Sequence, residues 1–418
     1  MTGAGEEGRP AWAVRSATVH DVEGLVRFNS LIFRPSVGIW AGEMLEGHHP
    51  DVGIDDFCVV SDADGAILSS LCIIPQTWRV GGVPMRVGQL ELVGTVPGHR
   101  GRGFIRAQME WFEGRLRHHR CLLSSVTGAP TMYQHLGYHF AVPMRGGMRV
   151  PAARLPAVAG VGTGEIRPAT AADLPALSAL FEVSQRELAV CSLRSELLWR
   201  YQEGHEAGAE HAYETWVLVR RGAVGGYLRA ARKPVDGAWI VRECAVIDEP
   251  DLGVLLAWAR RRAQEQSLDV VLLQVPSCNP VFSFLADSGG EIVPPWAWQV
   301  RVPDWPAFLL ALGPVLRDRL IAANSPRFCA DVRVVLGERR MAMRLTFRGG
   351  RLTEVVSEPE SPRWDARLTD ATLTVLALGF RSRAAVEDWH LETQFAPEAR
   401  QLLDTLFPRV AGFVSEPY

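Results

Sequence analysis

The segment Val14-Arg-Ser-Ala-Thr-Val-His-Asp21 recurs as Ile166-Arg-Pro-Ala-Thr-Ala-Ala-Asp173, and each copy runs into an apolar-periodic stretch, Val22 to Phe33 and Leu174 to Phe181. Each reads as a short strand, a turn, and a capping Thr or Asp ahead of a helix. A repeat on this scale means a duplicated domain, so the chain must build the same strand-turn-helix opening twice. The Pro/Gly/Ala-rich segment Pro151 to Gly164 is the expected hinge. The second copy continues with strands over Tyr213 to Arg220 and Ala238 to Val246, separated by a Gly225-Gly226 turn. A helix over Leu252 to Gln266, a strand over Val270 to Val275 and a short helix over Pro280 to Leu285 follow.

A third region starts near Pro303. Ala307 to Leu320 has helical periodicity, Cys329 to Leu336 and Met341 to Phe347 alternate like antiparallel strands, and Gly349-Gly350 makes a hairpin turn. Leu352 to Ser357 and Asp365 to Thr369 read as further strands, and Thr372 to Gly379 as a helix. The fold class is α/β in the α+β sense: mixed sheets flanked by helices in tandem, then a smaller α+β domain. The expected domains are 1–150, 151–302 and 303–418.

The chemistry is written in the first copy. An extended apolar run from Leu90 to Val96 meets Pro97-Gly98, then the turn Arg100-Gly101-Arg102-Gly103-Phe104-Ile105-Arg106, then an amphipathic helix to about Leu116. A strand that stops and opens a helix with glycines leaves unpaired backbone N–H groups at a helix N-terminus, where the dipole also favours an anion. Arg100, Arg102 and Arg106 add charge suited to a diphosphate. The absence of Gly-Lys-Ser/Thr disfavours a magnesium-nucleotide loop, and the glycine spacing is not that of a dinucleotide fold. The second copy has Val246-Ile-Asp-Glu-Pro-Asp-Leu252 at its supposed phosphate turn. Carboxylates there repel a diphosphate, so that copy is expected to be scaffold.

The first turn resembles the acyl-CoA loop of the GNAT acetyltransferases, R/Q-x-x-G-x-G/A, with Ile105 departing from the small residue at the sixth position. Downstream come a strand candidate, Cys121 to Val126, a Gly128-Ala129-Pro130 break and Met132-Tyr-Gln-His-Leu-Gly-Tyr138. The resemblance implies that Tyr133 protonates the departing CoA thiolate. A phenol with an ordinary pKa of about 10 suits that task.

Composition narrows the alternatives. The formal net charge of −3 gives no electrostatic case for nucleic acid or an anionic membrane. The seven cysteines are irregularly spaced with mostly apolar neighbours and form no C-x-x-C pair, so reduced buried thiols are expected. Neither His48-His49 nor His118-His119 has ligand spacing to a carboxylate or cysteine, so no metal is expected. Met1 to Pro10 is polar and acidic, without a signal segment, and no apolar run is long enough for a membrane helix. The protein is expected in the cytoplasm. Trp296 and Trp298 read as core or strand residues. Asn29, Phe33 and Trp40, with Glu43, Glu46, Asp51, Asp55 and Asp56, form either an acidic, aromatic acceptor mouth or a solvated acidic loop.

A GNAT domain, a degenerate GNAT copy and a third domain that looks like a sterol carrier protein together resemble the Eis (enhanced intracellular survival) acetyltransferases. The bulky residues after the glycine in Arg-Gly-Phe-Ile-Arg106 and the ending Phe413-Val-Ser-Glu-Pro-Tyr418 carry the likeness further. The resemblance implies acetyl-CoA as co-substrate in a splayed cleft. Val93, Gly94 and Thr95 would hold the pantetheine and thioester, Gly101 to Arg106 the pyrophosphate, and Gly128 and Ala129 the thiol end. It implies that the terminal carboxylate, here that of Tyr418, deprotonates the acceptor amine by direct attack in a ternary complex. It also implies a homohexamer built as a trimer of dimers. The chain departs from the family where Gly128-Ala129-Pro130 replaces a Ser-Glu pair, and where the tail ends on tyrosine rather than phenylalanine. The competing expectation is a non-catalytic protein that senses CoA or holds an apolar ligand in its third domain.

Overall fold

The computed structural model describes residues 12–157, 164–360 and 362–416. They form two compact units, one of residues 12–76, 88–121 and 204–212, the other of residues 77–87, 122–203 and 213–416. The first copy contributes β1 (Ala13–Ser16), α1 (Val22–Ile32), α2 (Pro35–Leu45), β2 (Phe57–Ser61), β3 (Ile67–Val80), β4 (Val83–Thr95), α3 (Phe104–His118), β5 (Leu123–Val126), α4 (Pro130–Gln134), β6 (His139–Met144) and β7 (Gly147–Pro151). In the first unit β1, β2, β3 and β4 are successive neighbours, with β1–β2 and β2–β3 antiparallel. Every residue of β2 is buried, as expected of a strand covered on both faces.

The second copy adds β8 (Glu165–Pro168), α5 (Leu174–Ser184), β9 (Val190–Leu193), α6 (Glu196–Glu203), β10 (Tyr213–Arg220), β11 (Ala223–Ala231), β12 (Ala238–Val246), α7 (Glu249–Glu265), β13 (Val270–Leu273), α8 (Val281–Phe284), β14 (Glu291–Val293) and β15 (Trp296–Arg301). Its sheet runs β14-β7-β13-β12-β11-β10-β8. In the second unit the order β5-β15-β6 is found. The copies have therefore traded strands. β7, from the first, lies between β13 and β14, and β15, from the second, lies between β5 and β6.

This exchange changes the meaning of the sequence boundaries. Neither 150/151 nor 302/303 divides one sheet from the next, because the strand before each joins the neighbouring copy's sheet. The start of the expected hinge is likewise built in. Pro151 pairs with Val270, Ala152 N–H donates to the Asp269 carbonyl (2.7 Å), and Ala152 and Leu155 are buried in the second copy's core. The rest of it, residues 158–163, lies outside the described residues.

The Gly225-Gly226 pair is not a turn. It lies inside β11, and the hairpin turns four residues earlier, at Arg221 (φ +50°) and Gly222 (φ +81°). Two left-handed residues between paired strands make the tight turn whose twist matches a hairpin. Gly226 is needed for packing: a Cβ there would come within 2.9 Å of Val246 Cγ1, 3.0 Å of the Ala245 carbonyl and 3.2 Å of Leu255 Cδ1.

The third region comprises α9 (Trp305–Ala322), β16 (Ala330–Leu336), β17 (Met341–Arg348), β18 (Arg351–Pro359), β19 (Ala366–Leu368), α10 (Asp370–Ala377), α11 (Arg383–Trp389), β20 (Gln394–Phe395), α12 (Arg400–Leu406) and β21 (Gly412–Phe413). Its sheet order is β18-β17-β16-β19-β20, and Gly349 and Gly350, both with positive φ, turn the hairpin as expected. The core of this region is continuous with Trp78, Met85, Met144 and Trp298 of the second unit. No described helix is long and apolar enough to cross a membrane. Six of the cysteines, Cys58, Cys72, Cys121, Cys191, Cys244 and Cys278, are buried or partly buried, no disulfide is found among the described residues, and burial pushes the Cys58 and Cys244 thiols up to about 12.

Candidate active site

The arginine turn belongs to the first unit. β4 carries a left-handed residue, Leu92 (φ +52°), in its interior, a conformation that costs a non-glycine residue on the order of 1–3 kcal/mol. Glu91 supports the kink. Its carboxylate accepts from the Leu92 N–H (3.2 Å) and from Gln89 Nε2 (2.5 Å), and Gln89 Oε1 in turn accepts from Gln76 Nε2 (3.1 Å). Sequence reasoning missed this buried chain, for which the Gln89-Leu-Glu91 spacing on one strand face was the available signal.

Just beyond the kink stand Val93, Gly94 and Thr95. Ser69 Oγ lies 2.8 Å from the Gly94 carbonyl, 2.9 Å from Thr95 Oγ1 and 2.8 Å from Gln108 Oε1, which ties this strand end to β3 and α3. Gly94 also makes room for α1, since a Cβ there would lie 2.9 Å from Ile32 Cγ2.

After a short 3-10 turn at Pro97–His99, Gly101 (φ +77°) and Gly103 (φ +82°) bring the chain into α3. The first helical hydrogen bond runs from Ala107 N–H to the Gly103 carbonyl (3.1 Å), so the N–H groups of Phe104, Ile105 and Arg106 have no carbonyl a turn behind them. A Cβ at Gly98, Gly101 or Gly103 would meet nothing within 4 Å. Arg100, Arg102 and Arg106 are exposed, and none joins an ion pair among the described residues. These features fit a pyrophosphate: open space, free donors and uncommitted guanidinium groups. Phe104 plays another part. Its ring is buried with Val60 and Leu68 and packs edge-on against Trp12 (5.1 Å), fixing the helix start from below.

Gly128, Ala129 and Tyr133 come together in the second unit. Tyr133 lies on α4, a short helix where the sequence showed only a break, and is 7% exposed. Gly128 (φ +150°) is compulsory beside it, because a Cβ would sit 2.6 Å from Tyr133 Cε2. The Ala129 carbonyl accepts from the N–H groups of Met132 (3.2 Å) and Tyr133 (3.4 Å). The Tyr138 ring meets Tyr133 edge-on at 6.2 Å, and its hydroxyl is 2.7 Å from Ser124 Oγ.

The exchanged strand β15 completes this turn. Gln299 Nε2 donates to the Gly128 carbonyl (3.1 Å), and the Arg301 guanidinium lies 5.3 Å from the Tyr138 ring centre. Neither residue was singled out from the sequence. The sequence leaves Trp296 and Trp298 open as core or strand residues, and the partners of β15 lie in another domain's range.

The tail is held up to Glu416. Gly412 and Phe413 pair with β9, Trp298 Nε1 donates to the Val414 carbonyl (3.0 Å), and the Glu416 carboxylate pairs with Arg145 and, at 3.2 Å, with Arg242. Tyr418 lies outside the described residues.

The acidic-mouth expectation fails at two of its carboxylates. Glu43 is buried, 2.6 Å from His205 Nδ1, and accepts from the Glu206 N–H (2.8 Å). Asp56 is buried with Arg115 (2.5 Å), His119 (2.7 Å) and the Gly53 N–H (3.0 Å). Burial pushes Asp56 up, but the hydrogen bonds from His119, Gly53 and Arg115 outweigh it and hold the carboxyl below its usual range. Both acids stabilise the unit and present no charge to an acceptor. His119 thus has a carboxylate partner that spacing did not disclose. Buried His49 is pushed down to about 3, first by burial and then by His205. Asn29 and Trp40 are buried as well, and Phe33 is exposed. Among the described residues no group of three or more His, Cys, Asp or Glu is placed to hold a metal.

The family model of the acetyltransferase (GNAT) domain matches residues 13–141. No curated protein matches the sequence. Solved structures are similar over nearly the whole chain. A GCN5-related N-acetyltransferase from Anabaena variabilis is 13% identical with a TM-score of 0.72, covering 96% of this chain and 99% of its own. One from Kribbella flavida is 19% identical with a TM-score of 0.71, covering 97% and 100%. Eis1 from Mycobacterium abscessus is 16% identical with a TM-score of 0.63, covering 97% and 99%. The chain carries a GNAT acetyltransferase domain over residues 13–141 and shares a GNAT-like fold of mixed sheets flanked by helices.

Proposed function

We propose that the protein is an N-acetyltransferase that moves the acetyl group of acetyl-CoA to a primary amine on an aminoglycoside-, polyamine- or lysine-like acceptor. The open, arginine-flanked N-terminus of α3 carries this reading, because it offers a diphosphate both donors and charge at one place. The acceptor nitrogen attacks the thioester carbonyl, a C–N bond forms and the C–S bond breaks. Tyr133 gives its proton to the leaving thiolate, and the Tyr418 carboxylate takes the proton lost by the amine. An α-carboxylate, with an ordinary pKa of about 3.3–3.7, is ionised at neutral pH and attracts a cationic amine. On the same reading the third domain is sterol-carrier-like and the assembly is a homohexamer in the cytoplasm.

The first test is release of CoA thiol from acetyl-CoA in the presence of polyamines, aminoglycosides and lysine peptides. Turnover with none of them would favour the CoA-sensing alternative. The base is tested by adding a few residues after Tyr418, which moves the charge along the chain, and the rate should fall steeply. Glu91, the carboxylate on the strand that bears Val93 to Thr95, is the comparison. A normal rate in the extended protein, with a steep loss in Glu91→Gln, would transfer the role to Glu91.

A further inference from the structure

The second unit contains a cleft of about 480 Å³ whose lining includes none of the residues given a role above in CoA binding or proton transfer. Its walls come from β6 and the turn after it, the approach to β9, residues 275–295 of the second copy, residues 378–381 after α10, and the returning tail at 409–413. Most of the lining is aliphatic or aromatic, including Val142, Leu188, Phe282, Ile292 and Phe380. The volume falls in the usual range for small-molecule sites, about 300–1,000 Å³. Ile292 is 67% exposed at this wall, so the cleft offers apolar surface to water. Such exposure is unfavourable by roughly 25 cal/mol per Å² until something covers it.

The charge at this cleft has one sign. Arg145, Arg381 and Arg409 line it, and no aspartate or glutamate does. Arg145 is paired with Glu416. Arg381 and Arg409 are exposed and enter no ion pair among the described residues. The Arg381 guanidinium carbon lies over the Phe380 ring, 4.2 Å from its centre, which keeps the donor group close to the apolar wall.

We propose that this cleft binds a long-chain fatty acid, with the alkyl chain along the apolar wall and the carboxylate held by Arg381 and Arg409. An apolar body with one anionic head is the ligand chemistry that matches an apolar cleft flanked by guanidinium groups without a compensating acid. Guanidinium and carboxylate pair through two parallel hydrogen bonds, so the carboxylate head suits these two arginines. The site is independent of acetyl transfer and stands whether or not that reading holds.

The test uses the full-length protein stripped of lipid and titrated calorimetrically with hexadecanoate, hexadecanol and hexadecyl phosphate. Hexadecanoate should bind at one per chain, and hexadecanol at least tenfold more weakly. Arg381→Glu with Arg409→Glu should weaken hexadecanoate by roughly tenfold or more and leave hexadecanol unchanged, with melting temperature checked to confirm the fold. Equal binding of acid and alcohol, or indifference to the charge reversals, would overturn the proposal. Tighter binding of hexadecyl phosphate would overturn the carboxylate assignment. Loss of an oligomer in the charge-reversed protein, with no hexadecanoate bound to the parent, would show that a second copy of the chain covers the cleft.

Discussion

The two copies share a device and oppose each other in a charge. In the first, Arg15 grips Asp21 through two hydrogen bonds of 2.7 and 2.8 Å, and Asp21 also accepts from the Thr18 N–H (2.8 Å) and hydroxyl (2.9 Å). In the second, Arg167 holds Asp173 at 2.7 and 2.9 Å, and Thr170 donates twice at 2.8 Å. The eight-residue repeat, 14–21 and 166–173, thus folds into the same knot twice. At the helix that follows β4 in the first copy and β12 in the second the likeness ends. α3 opens on glycines, empty space and free arginines, whereas α7 opens on Asp248, Glu249 and Asp251. Asp251 is buried against Arg220 (2.7 Å), and burial, partly offset by Arg220, raises its pKa. α8, the counterpart of α4, reads Val281-Phe-Ser-Phe284 and has no tyrosine. The second stretch keeps what the fold requires and lacks the groups that the proposed function assigns to a diphosphate and a thiolate.

The comparison breaks most visibly in turnover. Tyr133→Phe should lower kcat by about 10²-fold or more with acetyl-CoA affinity little changed, since the hydroxyl is needed only as the thiolate leaves. Steady-state kinetics with an unaltered kcat would remove Tyr133 from the mechanism and make α4 and α8 equals. Next in size is the count of CoA sites. Titration calorimetry should find one per chain, and Arg102→Glu should weaken it by roughly thirtyfold or more, as a charge-assisted contact becomes a repulsion. Two sites of similar affinity would contradict the reading of α7.

The smallest effect sharpens the likeness. Asp21→Asn and Asp173→Asn should each cost about 1–2 kcal/mol, because each removes the charge and turns one of two accepting oxygens into an NH2 that can only donate. The Arg15 hydrogen bond, against the opposing push of burial, holds Asp21 down at about 2. A lowered pKa stabilises the fold above the ordinary carboxylate value, near 3.8, and the gain fades as pH falls toward 2. Urea midpoints of parent and Asp21→Asn should therefore converge between pH 4 and 2. A gap that persists at pH 2 would mean that shape, and not charge, holds the knot.

Much of this was legible locally. Tyr213 to Arg220 and Ala238 to Val246 emerge with the ends that alternation gave them, and Gly349-Gly350 turns where a glycine pair should. Gly225-Gly226 misled because glycine signals two things, a left-handed turn or a close approach, and here α7 pressing on β11 decided for the second. Arg221 at φ +50° carried no turn signal of its own. In the site, the glycines and arginines of the loop were readable because their chemistry is contiguous. The Glu43–His205 pair, Gln299 on the Gly128 carbonyl and the β7/β15 exchange were not, because each joins residues distant in sequence and alternation does not name a partner.

That exchange sets a schedule for the chain's birth. Among the described residues only β15 joins β5 to β6, and Trp296 follows Met144 by about 150 residues. At a synthesis rate of about 5–20 residues per second, the gap between them stays open for roughly 8–30 s after β6 has left the ribosome. For that interval the nascent first copy shows two bare strand edges, the features most prone to pair with a stranger. A fragment cut at residue 150 never leaves this state. Expressed alone, the residues that bear Tyr133 should be found in inclusion bodies or bound to chaperones, and co-expression of residues 151–418 should draw them into solution.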